Sequence, residues 1–497
     1  VSAAGRLDAL DDRRPVIVGV GRHTQRTHEG AEVLEPAAVL AAAARAALDD
    51  AAGGIGAVDS VRLVRCLSAR TSRNAPLLVG ALAGVRAREH VVVEGGGETP
   101  GAALARACAD IAAGTHASVL VVAGEAWYSL TQAQRRGEAL ACTVQPDDTP
   151  APAVHGALIE FVHPAEEALG IVRPIQEYPL FEQALRVHEG RSLAEHQDHL
   201  GRVVAGFSAA AQRNPYAWDR AVHTATAIAS PDGGNRLVGF PYTKLMVSNE
   251  QVDMAAAMVV TSLAQARAWG VAPERLVFPL AAASGEAPLI SERLDLHDSV
   301  LAREVGASID ARSPRPCADA AHVDLYSCFP SAVQIQAREL GIADGRPLSL
   351  TGGMRFSGGP WCGYASQGFA AVVEAVRADP GSLGLVSANG GAISKLVVTL
   401  LSTEPTGAFS SASAQAAIDA HPRRAVDAAY DGPATVEAWT VLHGRGGVAE
   451  RAVLACRTPD GARTWAVVDD PHVAGGLTAV ELAGTTVHRG HDGTARL

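Results

Sequence analysis

The chain has 497 residues, a formal charge of −11, a pI near 5.9 and no Lys/Arg block, which excludes a nucleic-acid surface. Hydrophobic residues make up 48% and aromatics only 4%, so the core must be Ala, Val and Leu, a composition suited to parallel strands under close-packed helices. No run of about 18 apolar residues occurs, Val1 to Arg14 has no apolar signal region, and the seven cysteines form no Cys-x-x-Cys pair. The expectation is a soluble, cytoplasmic α/β protein of two to four domains, without membrane span, disulfide framework or metal site.

In chain order, Pro15-Val-Ile-Val-Gly-Val-Gly21 reads as a strand ending in glycines, followed by an alanine-rich helix from Pro36 to about Asp50. Strands are expected at Ser60 to Leu67, His90 to Val93 and Ser118 to Ala123, with helices between them, so residues 14–126 predict a parallel β-α half. Residues 127–245 change character, with clustered prolines and histidines and a helix at Ala194 to Gln212, as in a lid or loop domain inserted over a sheet. Residues 246–404 resume the β-α pattern through Asp253-Met-Ala-Ala-Ala, Val323-Asp-Leu-Tyr-Ser-Cys-Phe and Leu383 to Gly391. After Pro405, alternating segments at Ala434 to Leu442, Ala452 to Arg457 and Trp465 to Val468 predict a small antiparallel β domain over 425–497.

Two glycine-rich junctions stand out, Glu94-Gly-Gly-Gly-Glu-Thr-Pro-Gly101 and Gly352-Gly-Met-Arg-Phe-Ser-Gly-Gly-Pro-Trp-Cys-Gly363, each running into an alanine-rich helix. Each brings bare backbone to a helix start, where unpaired N–H groups and the positive dipole end lie. Two of them, one per half, suggest a duplicated unit with a single site between the halves.

These junctions, with Val122-Ala-Gly-Glu-Ala-Trp-Tyr-Ser129, Tyr326-Ser-Cys-Phe329 and Ala388-Asn-Gly-Gly391, resemble the thiolase superfamily, close to the sterol-carrier-protein-2 type, over roughly residues 14 to 404. The resemblance implies the duplicated five-layer αβαβα thiolase fold. The tail from about Ala425 resembles an extra C-terminal domain of OB-like fold found in one bacterial group of thiolase-like proteins. The ligand so implied is an acyl-CoA or similar thioester, with coenzyme A as part of the substrate and no separate cofactor, and the family expectation is a homodimer, with a monomer if the extra domain obstructs pairing.

The family's catalytic elements have changed. The nucleophilic Cys position falls on Glu98, or on Thr99 after a one-residue slip. The Asn or His of the strand-end motif becomes Tyr326 or Ser327, Gly-His-Pro becomes Gly358-Gly359-Pro360, and the acid/base Cys becomes Ala388. Claisen condensation through an acyl-Cys is therefore not expected. Glu98 reads as a general base or as a structural acid at the helix dipole. Tyr326 reads as a proton-handling phenol, as some thiolase-fold aldolases resemble this motif, or as a packed core ring. Cys362 is a candidate reactive thiol, and Trp361 a residue filling the lost imidazole's space. Gly97, Ser327, Gly358, Gly359, Ala388 and Gly390 would shape the substrate pocket, Lys244 and Met246 resemble channel-lining residues, and Arg22 and Arg26 are candidates for CoA phosphates or solvated loop charges. The His196 and His199 pair reads as surface histidine rather than metal ligand. The classes left open are an acyltransferase or aldolase-type lyase making or breaking a carbon–carbon bond, and a noncatalytic acyl-CoA or lipid carrier or scaffold. The extra domain could complete the thioester site, in which case its removal should abolish binding and leave the rest folded.

Overall fold

The computed structural model describes residues 10–26, 33–69, 72–158, 160–232 and 234–497; the first nine residues of the segment expected to lack a signal region lie outside this set. The first half comprises β1 (Pro15–Thr24), α1 (Pro36–Ala51), β2 (Ala57–Val64), α2 (Ala75–Ala83), β3 (Arg86–Glu94), α3 (Thr99–Ala113) and β4 (Ser118–Ala126). A cap follows with β5 (Ala153–Gly156), α4 (Pro164–Glu167), α5 (Pro174–His188), α6 (Leu193–Arg213), β6 (Leu237–Gly239) and β7 (Tyr242–Thr243). The second half holds β8 (Asp253–Ser262), β9 (Phe278–Glu286), α7 (Val300–Asp310), β10 (His322–Asp324), α8 (Pro330–Glu339), α9 (Tyr364–Ala378), β11 (Leu383–Gly390), β12 (Lys395–Ser402) and β13 (Ser410–Ser413).

Two sheets result, ordered β1-β8-β4-β2-β3-β5 and β10-β11-β12-β9-β13. Helices α3 and α9 lie between them, α1 and α2 cover the outer face of the first sheet, and α7, with α8 packed beside it, covers the second, giving five layers, αβαβα. Small residues make the layers possible. A Cβ added at Gly19 would stand 2.9 Å from Ala51 Cβ, and the helix face there is Ala43, Ala44, Ala47 and Ala51, all buried. Side chains this short let helix and sheet approach until backbone meets backbone.

Two expectations are corrected. The strand 253–262, assigned by sequence to the second half, belongs to the first sheet, where it pairs antiparallel with both β1 and β4. The first sheet is thus mixed rather than parallel. All ten residues of β8 are buried, and an apolar run buried on both faces carries no signature of which sheet owns it. Second, His196 is buried, not on the surface. The edge of β3, the strand before α3, is taken up by β5, from Val91 opposite Ala153 to Glu94 opposite Gly156.

The C-terminal domain runs through β14 (Gly432–His443), β15 (Ala449–Arg457), β16 (Arg463–Val468), α10 (Pro471–Gly476), β17 (Thr486–Arg489) and β18 (Ala495–Arg496). Its strands pair in the order β16-β15-β14-β17-β18, and a parallel bridge from Val467 to Thr494 closes the ring. It is not a separable tail. Strand β6 of the cap pairs with β14 at Gly239 and Leu442, and Phe240 joins the barrel's own core. Arg186 of α5 pairs with Glu481 at 2.8 Å and lies over the Trp439 ring. The fully buried Arg463 binds Glu437 at 2.8 Å and donates to the carbonyls of Ile290, Ser291 and Arg293, while Trp465 Nε1 donates to Ser291 Oγ at 2.8 Å. Removing residues 425–497 would strand these buried polar groups, so the remainder is not expected to fold cleanly without them.

Candidate functional site

The first junction ends where α3 begins. Thr99 donates from its hydroxyl to the Gly96 carbonyl at 2.6 Å, Pro100 fixes the first helical turn, and Gly114, at φ 79°, ends the helix. Thr99 is thereby buried in its own loop, and Glu98 occupies the helix-start position. Both Glu98 carboxylate oxygens accept from Gly96 N–H at 3.1 Å, and a Cβ on Gly390 would fall directly on Oε2, so the carboxylate lies over the bare backbone of β11's last residue. The N–H groups of Gly97 and Glu98 meet no acceptor among the described residues.

Tyr326 arrives from the other half, in the turn after β10. Its backbone N–H donates to Ser387 Oγ at 2.8 Å, and its ring stands edge-on to Tyr364 with centroids 5.5 Å apart. The phenol crosses to the first junction: a Cβ on Gly97 would stand 2.5 Å from Tyr326 Cζ. Its hydroxyl has no hydrogen-bond partner among the described residues. Burial, reinforced by Cys328, Cys362 and Glu98, holds the phenol well above its ordinary range, so it is a neutral donor at pH 7. Cys362 donates to the Gly95 carbonyl at 3.6 Å. Burial, then the charges of Glu98 and Glu125, push its thiol up to about 12, so it is a thiol rather than a thiolate nucleophile.

The remaining sequence candidates divide. Gly97, Glu98, Tyr326, Cys362 and Gly390 converge. Ala388 is buried under α3, within packing distance of Gly101. Ser327 Oγ accepts from Met354 N–H at 3.1 Å and bonds the Tyr364 hydroxyl at 3.0 Å, so it fastens the π-helical turn Gly353–Ser357 to the sheet. Gly358, at φ 110°, has room for no side chain: a Cβ would lie 2.6 Å from Met254 Sδ. Gly359 N–H is tied to Asn249 O at 2.8 Å. Trp361 is 43% exposed and does not fill an interior imidazole site. Lys244 is exposed in the turn after β7, its backbone bonded to Arg236 O, and Met246 is core; no hydrogen bond or ion pair links either to the junctions among the described residues. Arg22 is buried, pairing with Glu374 and lying over Tyr216, and Arg26 donates to the carbonyls of Pro215 and Ala217, so neither is a free phosphate ligand.

The sequence reading missed the groups that hold this arrangement. Tyr178 Oη donates to Gly391 O at 2.8 Å and accepts from Asn389 Nδ2 at 3.1 Å and Ile393 N–H at 3.3 Å. Arg293 donates to Ala392 O at 2.6 Å and Ile393 O at 2.8 Å. Together they pin the turn after Gly390, where Ile393 is held at φ 53°. Behind Cys362, the buried Glu125 carboxylate accepts from Leu67 N–H at 2.7 Å and from Ser68 N–H and Oγ at 2.8 and 2.6 Å; burial raises its pKa in spite of those bonds. All seven cysteines are free, and the described residues contain no group of three or more His, Cys, Asp or Glu able to hold a metal. No helix among them is long and apolar enough to cross a membrane.

Residues 413–494 match the family described as the thiolase-like protein type 1 additional C-terminal domain. The whole fold matches a monomeric SCP2-thiolase-like protein type 1 from Mycobacterium smegmatis at 29% identity and a TM-score of 0.83, covering 98% of this chain and 100% of that one. The chain is a thiolase-like protein with an additional C-terminal domain. The fold of this thiolase-like protein is shared more distantly by the Ltp2-ChsH2(DUF35) aldolase, at 20% identity and TM-score 0.58 over 78% of this chain and 97% of that one. It is shared too by an acetyl-CoA acetyltransferase from Syntrophomonas wolfei, at 16% identity and TM-score 0.54 over 79% and 99%. No curated protein matches it. The thiolase-like scaffold thus keeps its two glycine junctions in contact and presents there a carboxylate, a phenol and a thiol.

Proposed function

We propose that this thiolase-like protein binds an acyl-CoA or similar thioester between its two junctions and makes or breaks a carbon–carbon bond without a cysteine acyl intermediate. The observation that carries this reading is the Tyr326 hydroxyl, neutral and without a partner, beside the Glu98 carboxylate and the unpaired N–H groups of Gly97 and Glu98. Three donors of this kind suit the negative charge that develops on a thioester oxygen. For cleavage of a 3-hydroxyacyl thioester, Glu98 takes the hydroxyl proton as the Cα–Cβ bond breaks. That bond's electron pair passes to the thioester oxygen as an enolate, and the proton returns to Cα. Among the structural relatives, an acetyl-CoA acetyltransferase supports the thioester class and an aldolase supports the carbon–carbon bond chemistry.

The barrel's closed strand order, with α10 between its third and fourth strands, supports an OB-like reading of the added domain. The covered β3 edge supports a monomer, and the seven free thiols suit a cytoplasmic setting.

A second reading, a noncatalytic thioester or lipid carrier, is favoured by one observation: Glu98 is folded back onto its own loop at Gly96. Calorimetric titration with acetyl-CoA and a long-chain acyl-CoA, with Cα–H exchange followed in deuterated buffer, separates the two. Binding with exchange that is lost in Glu98→Gln and Tyr326→Phe supports the enzyme. Binding without exchange selects the carrier, and absence of binding sinks both.

A further inference from the structure

A groove of about 760 Å³ runs between α6 and the segment 340–349 that follows α8. Glu98, Tyr326, Cys362 and Gly390 do not line it, so it is distinct from the junction site. Its floor is apolar, made of Val203, Phe207 and Ala210 on one side and Ala337, Ile342 and Leu348 on the other. Its rim carries Arg191, Arg202, Arg213, Arg338 and Arg346 against only Glu189 and Asp344. Arg191 pairs with Glu189 and Arg338 with Glu339, while Arg346 donates to the carbonyls of Ala318, Ala320 and Ala321, which leaves its charge uncompensated. The exposed guanidinium groups of Arg202 and Arg213 have no ion pair or hydrogen bond among the described residues.

Such a rim is unexpected on a chain with a net charge of −11, where a cationic surface must be assembled against the average. Arg202 and Arg213 are eleven residues apart on one helix, about 16 Å along its axis, with the apolar floor between them. An unpaired cation at each end of a long apolar trough is complementary to a molecule with a charged head and an extended hydrocarbon body. The volume falls in the range of small-molecule sites, about 300–1,000 Å³. Gly206 opens the trough further: it lines the groove, and a Cβ there meets nothing within 4 Å.

We propose that this groove binds an anionic amphiphile, its hydrocarbon chain or ring system on the α6 floor and its carboxylate or phosphate head on Arg202 or Arg213. The site is independent of the thioester reading.

The test is calorimetric titration of the full chain with dodecanoate and with dodecyl phosphate, which separates the two head groups, and with the corresponding eight-carbon probes. Saturable binding of one molecule per chain is expected for at least one head group. Removing four methylenes should weaken it on the order of 100-fold. Gly206→Leu, which adds bulk at a lining position whose Cβ meets nothing within 4 Å, and Arg202→Ala combined with Arg213→Ala, both on the surface, should each weaken binding at least tenfold. Glu98→Gln should leave it unchanged. The proposal is overturned if neither probe binds, if Gly206→Leu binds as well as the parent, or if Glu98→Gln abolishes binding and so moves the probe to the junctions.

Discussion

Replacing Gly97 with alanine tests how tightly the two halves meet. A Cβ at this position would stand 2.5 Å from Tyr326 Cζ, and closer still to the Tyr326 hydroxyl and the Asn389 carbonyl oxygen. Carbon atoms in ordinary contact sit about 3.5–4.0 Å apart, so some group must retreat by about 1 Å. Tyr326 is buried against Tyr364, and Asn389 is backbone held in β11 next to the turn pinned by Tyr178. The start of α3 therefore has to move, carrying Glu98 with it. Overpacking of this kind costs about 1–3 kcal/mol, and a displacement of about 1 Å in a positioned group costs about 100-fold in rate. Urea unfolding followed by tryptophan fluorescence should show a lower midpoint for Gly97→Ala, and Cα–H exchange of a bound thioester should fall with it. Gly206→Ala supplies the contrast: with nothing near its Cβ it should gain about 0.5–1 kcal/mol from helix propensity alone. A Gly97→Ala protein with an unshifted midpoint and unchanged exchange would refute the claimed contact between the halves.

Arg463→Ala should cost about 3–5 kcal/mol, because it leaves Glu437 buried with one partner fewer and removes a donor from three carbonyls; a loss below about 1 kcal/mol in urea titration would contradict this. Glu177 is buried with both carboxylate oxygens unpartnered, and burial, reinforced by Glu166, raises its pKa well above the usual range although Arg293 opposes this. In the unfolded chain it ionises near about 4.3, so native stability falls by up to about 1.4 kcal/mol per pH unit above that value until the folded group titrates. Glu177→Gln should therefore gain on the parent as pH rises from 4 to 7, and a constant difference in melting temperature across that range would count against it. Because the Tyr326 phenol is raised above its ordinary range, thioester binding should show no titration between pH 7 and 9 that disappears in Tyr326→Phe; such a titration would mean the phenol ionises at the site.

The layers and the first junction were legible because local chemistry specifies them. Proline after Thr99 and three glycines before Glu98 announce a helix start with exposed backbone, and the alanine-rich segments announce close packing. The allegiance of β8 was not legible, since a strand buried on both faces reads the same in either sheet. Nor were the supports of the site: Tyr178 reaches residues 211 to 215 positions away, and Arg293 residues 99 and 100 away, and a single sequence carries no sign of such pairings. The surroundings of Lys244 and Met246 were not legible for a related reason. Residues 237–243 turn toward the barrel, a partner that lies about 200 positions downstream at Leu442.

That last pairing bears on how the chain is made. Strand β6, already paired with β7, acquires its second neighbour, and Phe240 its hydrophobic surroundings, only once β14 exists, and the segment 290–293 is secured only once Arg463 and Trp465 have been synthesised. Translation runs from the N-terminus, so the cap stays unfinished until residues 432–465 have emerged. Structure completed by contacts this remote in sequence forms slowly. During that interval the apolar face of α5 and the unpaired edge of β6 are open to solvent, and the nascent chain is then at its most vulnerable to proteases and to association with its own copies.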